Sequence, residues 1–397
     1  MRILLFFLLL PIAVCAQKIT IEPVDHHRVK TPVSFQLKRP GLSGYGLYDR
    51  SNGKTYAVQW ENDDTAWFIL DDSLAAGKQK QLELKTVKTA STSVTLNGYE
   101  DGIMVKNNGK PVLFYHTNTA YPPADSPVYY KRSGFIHPLY SPSGKATTDD
   151  FPVTHAHQHA VFHAWADTRF RNSHVDFWNQ HKEEGTVRHH AILGRKEGPV
   201  FSELKTEQEY VSTKHGVVLK EIWTIRIYAT AMDHFLYDLF IEQENITPDT
   251  LYLNKYIYGG MAFRGSKHWD PQNEIAFQNR WRVMTNENLQ DSLANHTSAK
   301  WVTASGLIDS IPTSVTIFDH SSNFRYPQKI RVHPSMPYWT YAPVVDGPFA
   351  IPPGGKYQAR YRYYVSDNTP SKAVLERVHQ DWLTTNQQKI ISSSIPK

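Results

Sequence analysis

The sequence of 397 residues contains one cysteine, Cys15, which lies within an apolar run at the N-terminus. We expect "MRILLFFLLLPIAVCAQ" to contain a secretory signal peptide, residues 1–16, because the run is too short to span a bilayer and ends in small residues. Cleavage after Ala16 would leave an exported chain that has no disulfide and depends on core packing. A lipid anchor at Cys15 is the alternative, although Val14 occupies a position where that signal needs a small residue.

Long apolar runs and blocks of like charge are also missing. No segment after residue 16 approaches roughly 18 uninterrupted apolar residues, which predicts no membrane span and a periplasmic, cell-surface or secreted protein. The formal charge is +5, with Lys and Arg scattered among acids, and this argues against nucleic acid as a partner. Gly-x-Ser-x-Gly, Walker, Rossmann and His-Glu-x-x-His patterns are absent, so none of these signatures identifies an enzyme class.

Short alternating segments bounded by turn residues make up most of the chain. Segments such as "TAWFILDD" and "HGVVLKEIWTIRIYA" predict strands, whereas "SKAVLERVHQDWLTTNQQK" predicts a C-terminal helix capped by Ser371. In the second segment, Leu219, Glu221, Trp223 and Ile225 would share one face, so that face is not purely apolar. We expect a mainly β protein, with a small N-terminal β-sandwich module over 17–95 and a large domain over 96–397.

The stretch "DDFPVTHAHQHAVFHAW" places four of the 19 histidines within nine positions: His155, His157, His159 and His163. As a strand or as a helix, it would bring at least three imidazoles to one face. One use is a divalent metal site at His155 and His157, with a third ligand from His159, Asp149 or Asp150. A second is acid–base catalysis, since imidazole titrates near neutral pH. A third is a purely structural role in a polar cleft.

Other polar and aromatic groups are weaker candidates, because each occurs as often for structural reasons. Asp150 and Asp176 are the predicted pair of catalytic carboxylates. The predicted substrate-binding residues come from the end of the histidine stretch and from four further segments: Arg132, His137, Trp165, Trp178, Arg264 and His320. Aromatic residues make up 13% of the chain, and in exported proteins they also form platforms for sugar rings.

Five segments together resemble the exported bacterial proteins of the DUF6807 type, often labelled "methane oxygenase PmoA-like": "RSGFIHPLYSPSG", "DDFPVTHAHQHAVFHAW", "VDFWN", "YGGMAFR" and "FDHSSNFRYP". The usual form of the family has His-Pro-His-His-Gly where this chain has His155-Ala-His157-Gln158-His159. The resemblance implies a large β-sandwich of the galactose mutarotase-like supersandwich kind, found in bacteria that digest glycans. Methane oxidation is rejected, because the membrane subunit of that enzyme needs several spans.

These observations predict an exported carbohydrate-active enzyme, a glycoside hydrolase or a polysaccharide lyase, that acts on a glycan or oligosaccharide in a histidine-rich cleft. His155, His157 and His159, with a carboxylate, would transfer protons or hold a cation. No cofactor is required by the sequence, and a divalent metal is the alternative use of His155 and His157. A non-catalytic glycan-binding or scaffold protein is the competing hypothesis. A cupin-like metal oxidase is a third, which predicts bound iron or copper.

Overall fold

A computed structural model of the chain describes residues 17–41, 44–88 and 90–385. The predicted signal peptide lies outside these residues. No helix within them is long and apolar enough to cross a membrane.

The N-terminal part forms two small antiparallel sheets around their own core. Its strands are Lys18–Ile21 (β1), Arg28–Gln36 (β2), Tyr45–Tyr48 (β3), Thr55–Ala57 (β4), Gln59–Trp60 (β5), Thr65–Leu74 (β6) and Lys80–Thr86 (β7). The sheet orders are β1-β7-β3-β4 and β2-β6-β5. Inward side chains such as Val33, Phe35, Leu47 and Phe68 fill the space between them. This arrangement is a small β-sandwich, as the alternating apolar pattern predicts.

The rest of the chain forms a larger sandwich. Its strands are Val94–Tyr99 (β8), Gly102–Asn107 (β9), Lys110–His116 (β10), Ile136–Leu139 (β11), Val161–Ala164 (β12), Thr168–Phe170 (β13), Ser173–Val175 (β14), Gly185–Lys196 (β15), Phe201–Ser212 (β16), Gly216–Tyr228 (β17), His234–Asn245 (β18), Leu251–Leu253 (β19), Gly260–Arg264 (β20), Arg282–Thr285 (β21), Trp301–Ile308 (β22), Ile311–Asp319 (β23), Ile330–Val332 (β24), Tyr338–Tyr341 (β25), Phe349–Ile351 (β26) and Lys356–Ser366 (β27). The front sheet has the order β24-β25-β20-β12-β11-β10-β9-β8, and the back sheet has the order β15-β16-β17-β18-β27-β23-β22-β21. A further sheet, β14-β13-β19-β26, completes this part.

The front and back sheets pack face to face, and their interface contains a polar network. His163 Nδ1 lies 2.8 Å from both Tyr210 Oη and Glu221 Oε2, and Gln243 Nε2 donates to Glu221 Oε2 at 2.7 Å. Glu221 is fully buried, and Trp223 Nε1 also donates to it at 2.7 Å. The mixed face predicted for β17 is confirmed, and its inward carboxylate is satisfied by donors from both sheets.

The C-terminal helix, Lys372–Thr384 (α1), packs on the back sheet. Ser371 is its N-cap, and the Ser371 hydroxyl accepts from the amide of Val374. Leu375 and Trp382 of the helix form a buried cluster with Trp301 and Phe318 of β22 and β23. The predicted fold class is therefore confirmed: a mainly β protein with a large sandwich, a small N-terminal sandwich and a C-terminal helix.

Candidate functional site

The histidine stretch lies on the outer face of the front sheet. In β12, His163 points toward the back sheet, so the preceding residue, Phe162, points outward. The Phe162 ring contacts the rings of Trp178 and His159 there, with centroids 4.6 Å and 6.2 Å away. Loops before β12 and after β14, β20 and β24 surround this face. We call this polar region of the face the histidine cleft, and its residues are described below.

The expectation of a strand or helix over 155–163 is wrong for its first part. Residues 151–160 form a loop of successive turns, and β12 begins only at Val161. Phe151 and Ala160 have positive φ angles of 49° and 54°, which neither regular element accommodates. Turn hydrogen bonds run from His155 N to Pro152 O and from Gln158 N to His155 O. The alternating sequence does not form a strand here because the side chains find separate tertiary partners.

His159 is fully buried, and both of its ring nitrogens are occupied. Nδ1 lies 2.8 Å from Asp150 Oδ1, and Nε2 lies 2.8 Å from Gln180 Oε1. The Gln180 amide nitrogen donates to Lys131 O, so its oxygen must face the imidazole. The two ring nitrogens of His159 are thus bonded to two side chains from different segments, Asp150 and Gln180. This arrangement holds the loop in place and leaves no nitrogen of His159 for a substrate.

Four imidazoles form a row along the cleft, which we call the histidine row: His181, His157, His155 and His333. Successive ring centroids are 6.1, 5.6 and 5.7 Å apart. His155 and His157 come from the loop, His181 from the 3-10 turn Gln180–Lys182, and His333 from the segment between β24 and β25. His181 is exposed and the other three are half-buried. The row is therefore open to a ligand from one side.

Burial lowers the pKa of three imidazoles of the histidine row, His155, His157 and His333, and of His137. Desolvation lowers the pKa of His157 to about 3 and those of His137 and His333 to about 4, and neighbouring imidazoles lower that of His157 further. The pKa of His155 is lowered for the same reason. His137 Nδ1 is hydrogen-bonded to Thr148 Oγ1 at 3.0 Å. A neutral imidazole offers one donor and one acceptor, which matches a hydroxyl group.

Asp149 is the carboxyl group in the cleft whose acidity is most altered. Desolvation raises its pKa to about 6, Arg264 opposes this rise, and the nearby acids Asp150 and Asp270 add to it. The group is half-buried, and no hydrogen bond to its carboxyl oxygens is found within the described residues. Such a carboxyl exchanges a proton readily near neutral pH, as a general acid must.

Arg264 ties the loop to the front sheet. It is fully buried at the end of β20, its Nη1 donates to Gln158 Oε1 at 2.9 Å, and its Nη2 is paired with Asp270. The same guanidinium lies close enough to Asp149 to oppose the rise in its pKa. Arg264, predicted to bind substrate, thus holds Gln158, which follows His157 of the row, and it also lowers the pKa of Asp149.

Several predicted residues do not face the histidine cleft. Trp165 and Trp178 are each 1% exposed, so neither presents a ring to a sugar, and that prediction is corrected. The Trp165 indole donates to Gln243 between the sheets, and Trp178 packs on Phe162 and Tyr258. Arg132 is also buried: its Nη2 donates to His163 O, and its guanidinium lies over the Phe162 ring, 4.9 Å from the centroid. The residue types of these side chains suit substrate binding, but the side chains are buried in the core.

Asp176 and His320 are also engaged elsewhere. Asp176 is 1% exposed, and its oxygens accept from the backbone of Trp178 and Asn179 and from the side chains of Asn179 and Lys182. The predicted catalytic pair of Asp150 and Asp176 is therefore corrected, since Asp176 organises the turn before Gln180. His320 lines a different cavity, beside the C-terminal helix.

Within the described residues, no group of three or more His, Cys, Asp or Glu side chains is placed to hold a metal ion. His155 and His157 are neighbours, but His155 Nδ1 is hydrogen-bonded to Thr154 Oγ1. The third ligand expected from His159 or Asp150 is not supplied, because those two side chains are bonded to each other.

Sequence reasoning missed the contributions from distant segments. His181 belongs to the histidine-rich region, whereas His333 is isolated in the sequence and reaches the row only because β24 and β25 flank the same end of the front sheet. Gln158 and Gln180 belong to no sequence pattern that would mark them as functional. Gln158 accepts from Arg264, and Gln180 is bonded to His159, and both contacts join segments that are distant in the sequence.

The fold and the site define a β-sandwich protein with a row of imidazoles on the outer side of one sheet and, near Arg264, a carboxyl group of raised pKa. The chain belongs to the DUF6807 family, a family of unknown function, whose sequence profile matches residues 102–380. That description states no activity, so the label that links the family with methane oxidation gains no support from it.

Among curated proteins, no sequence matches the chain. Among solved structures, the alpha-galactosidase from Lactobacillus brevis aligns with 89% of this chain and 41% of its own, with 10% sequence identity and a TM-score of 0.33. The chain spans less than half of that enzyme's length, and a likeness of this size carries no argument about function.

Proposed function

We propose that the chain is an exported carbohydrate-active enzyme that binds a hydroxyl-rich substrate along the histidine row and uses Asp149 as its general acid. The observation that carries the proposal is the half-buried Asp149 carboxyl group, whose pKa is raised to about 6 near Arg264, the same residue that holds Gln158 next to His157 of the row. A group with this pKa holds a proton in mildly acidic solution and releases it during turnover.

The lowered pKa values of His155, His157 and His333 favour a hydroxyl-rich ligand such as a glycan. Each neutral imidazole supplies one donor and one acceptor, the same complement that a sugar hydroxyl needs. An aromatic rim is available at the His181 end, where the 3-10 turn Val128–Tyr130 packs against the turn Gln180–Lys182. Tyr129 and Tyr130 lie there in an edge-to-face pair with centroids 4.6 Å apart, and both are half-buried. They replace Trp165 and Trp178 as candidate sugar platforms.

The carboxyl groups of the cleft fit a lyase better than a hydrolase with two free carboxylates. Hydrolases of that kind need an acid and a second carboxylate that acts as nucleophile or base. Here Asp150 is paired with His159, and Asp270 is paired with Arg264. The Asp176 carboxylate accepts hydrogen bonds within its own turn. Asp149 is left as the group free to exchange a proton. This favours elimination from a uronate, in which a neutral imidazole takes the proton next to the sugar carboxyl group, the C–O bond to the leaving sugar breaks, and Asp149 gives its proton to the leaving oxygen.

The test is turnover of a glycan panel by the mature protein, with Asp149→Asn compared with the wild type. We expect at least a hundredfold loss of kcat, about 2.7 kcal/mol, because the amide cannot donate the proton. Asp125→Asn, on an exposed loop, is the matched control and should be fully active. Thermal unfolding of both variants checks that the fold is retained.

A non-catalytic glycan-binding protein predicts a different result. It would bind a glycan in the panel without converting it, and Asp149→Asn would change neither property. Full activity of Asp149→Asn on a substrate that the wild type converts would contradict the assignment of the general acid.

A further inference from the structure

A second cavity, of about 470 Å³, lies on the opposite side of the molecule from the histidine cleft. Its floor is the outer face of the back sheet, and its walls come from the N-terminal sandwich, through Glu61 and Trp67, and from the helix end, through Trp382. This volume is within the range of small-molecule sites, roughly 300–1,000 Å³. Three parts of the chain thus meet around one polar space.

In one row of side chains across the floor, the positive and negative charges are paired with each other. Glu203, Arg226, Asp238 and Arg362 are register partners on β16, β17, β18 and β27. Arg226 is paired with Glu203 and with Glu61 of the N-terminal sandwich, and Arg362 with Asp238. This row joins the N-terminal sandwich to the back sheet and leaves no cation for a ligand.

The next row of the floor has a different composition. It contains Lys205, Thr224, Phe240 and Arg360, again as register partners on the same four strands. No carboxylate of the described chain lies within ion-pair distance of Lys205 or Arg360. Both cations are exposed, and three strand spacings, about 14 Å, separate their backbones. Each end of the row is therefore a cation without an ion-pair partner in the described chain, although Glu242 is near enough to Lys205 to interact with it electrostatically.

Aromatic and polar side chains complete the cavity. The Arg360 guanidinium lies over the Phe240 ring, 4.9 Å from its centroid, with its edge free to donate hydrogen bonds. His320 lies edge-to-face with Trp382 at 4.7 Å, and desolvation lowers its pKa to about 4. Neutral imidazole, the Thr224 hydroxyl and aromatic surface are suited to sugar rings and hydroxyls. The terminal cations are suited to carboxylate or sulfate groups.

We infer that this cavity binds an acidic oligosaccharide, whose anionic groups are held by Lys205 at one end and Arg360 at the other. The site is separate from the histidine cleft, so it does not depend on the proposed catalysis. Because Glu61 and Trp67 contribute a wall, a bound ligand also links the N-terminal sandwich to the larger one.

The experiment is calorimetric titration of the mature protein at low salt with three trisaccharides: trigalacturonate, fully sulfated maltotriose and unmodified maltotriose. We expect one or both acidic probes to bind, with a Kd at least about tenfold lower than that of maltotriose and a strong weakening by salt. A preference for trigalacturonate would identify carboxylate as the anionic group, and a preference for the sulfated probe would identify sulfate.

Arg360→Gln and Lys205→Gln should each raise the Kd of the acidic probe about tenfold, or about 1.4 kcal/mol. Arg169→Gln is the matched control, because Arg169 is also exposed and stacks on an aromatic ring, Tyr252, at 4.8 Å, away from this cavity. The Kd of the acidic probe for Arg169→Gln should equal the wild-type value.

The inference is overturned if neither acidic probe binds the wild type, if maltotriose binds equally well, or if Arg169→Gln weakens binding as much as Arg360→Gln. Turnover at the histidine cleft should persist in Arg360→Gln, so a failure of either proposal can be recognised separately.

Discussion

Three carboxyl groups near the histidine cleft differ in their surroundings, and this decides what each can do. Asp149 lacks hydrogen-bond donors in the described chain and has a raised pKa, whereas Asp150 is bonded to His159. Asp176 is surrounded by donors and is almost fully buried. The first is suited to exchange a proton, and the other two are suited to hold loops in position.

At Asp176, replacement by Ala should reduce the free energy of unfolding by about 3 kcal/mol, because buried backbone donors and Lys182 lose their acceptor. Urea unfolding of Asp176→Ala, beside Asp125→Ala at an exposed position, measures the difference. An unchanged midpoint in Asp176→Ala would show that the turn is held by other contacts.

At this scale the sequence could predict the chemistry of the cleft but not the burial of each side chain. His155 and His157 reach a common row, as their spacing favoured. Trp165 and Trp178 were indistinguishable in the sequence from exposed platforms, since an indole serves either purpose. Their burial depends on which face of the front sheet is covered, and that is a property of the assembled sandwich.

At the scale of elements, Arg264 joins the loop over 151–160 to the end of β20. Arg264→Gln should destabilise the protein by about 3–5 kcal/mol, because Asp270 would remain as a buried charge without its partner. Hydrogen exchange of residues 151–160 should accelerate, since Gln158 loses its donor. The exposed Arg169→Gln serves as the control for loss of one positive charge.

Equal stability of Arg264→Gln and the wild type would contradict this role. The strands and helix were predictable because alternation and capping are local signals, as in β17 and at Ser371. The loop was not, because tertiary hydrogen bonds from Arg264 and Gln180 override a local pattern that is compatible with a strand.

For the whole molecule, the buried imidazoles should make stability depend on pH. Burial lowers the pKa of six of them below the ordinary value of 6.5: to about 4 in five and to about 3 in His157. They are His137, His157, His189, His320, His333 and His379. Their contribution is fully present above pH 6.5 and is lost as the pH falls through about 4, because the unfolded chain binds protons first.

Two carboxyl groups act in the opposite direction. Desolvation raises the pKa of Asp149 to about 6 and that of Asp319 to about 7, so the stability they contribute is present below pH 3.8 and is lost as the pH rises through those values. With six imidazoles against two carboxyl groups, we expect the urea midpoint to fall between pH 6.5 and 4. If the urea midpoint falls less in His157→Gln than in the wild type, the low pKa of His157 is supported. A wild-type midpoint that does not change with pH would contradict the lowered pKa values of the imidazoles.

The most direct test of the account is the pH dependence of kcat/KM for a glycan that the wild type converts, measured in the wild type and in Asp149→Asn. A general acid must be protonated in the free enzyme, so kcat/KM of the wild type should decline as the pH rises through about 6. This decline should be absent from the residual activity of the variant. If the variant shows the same decline as the wild type, Asp149 is not the general acid of the histidine cleft.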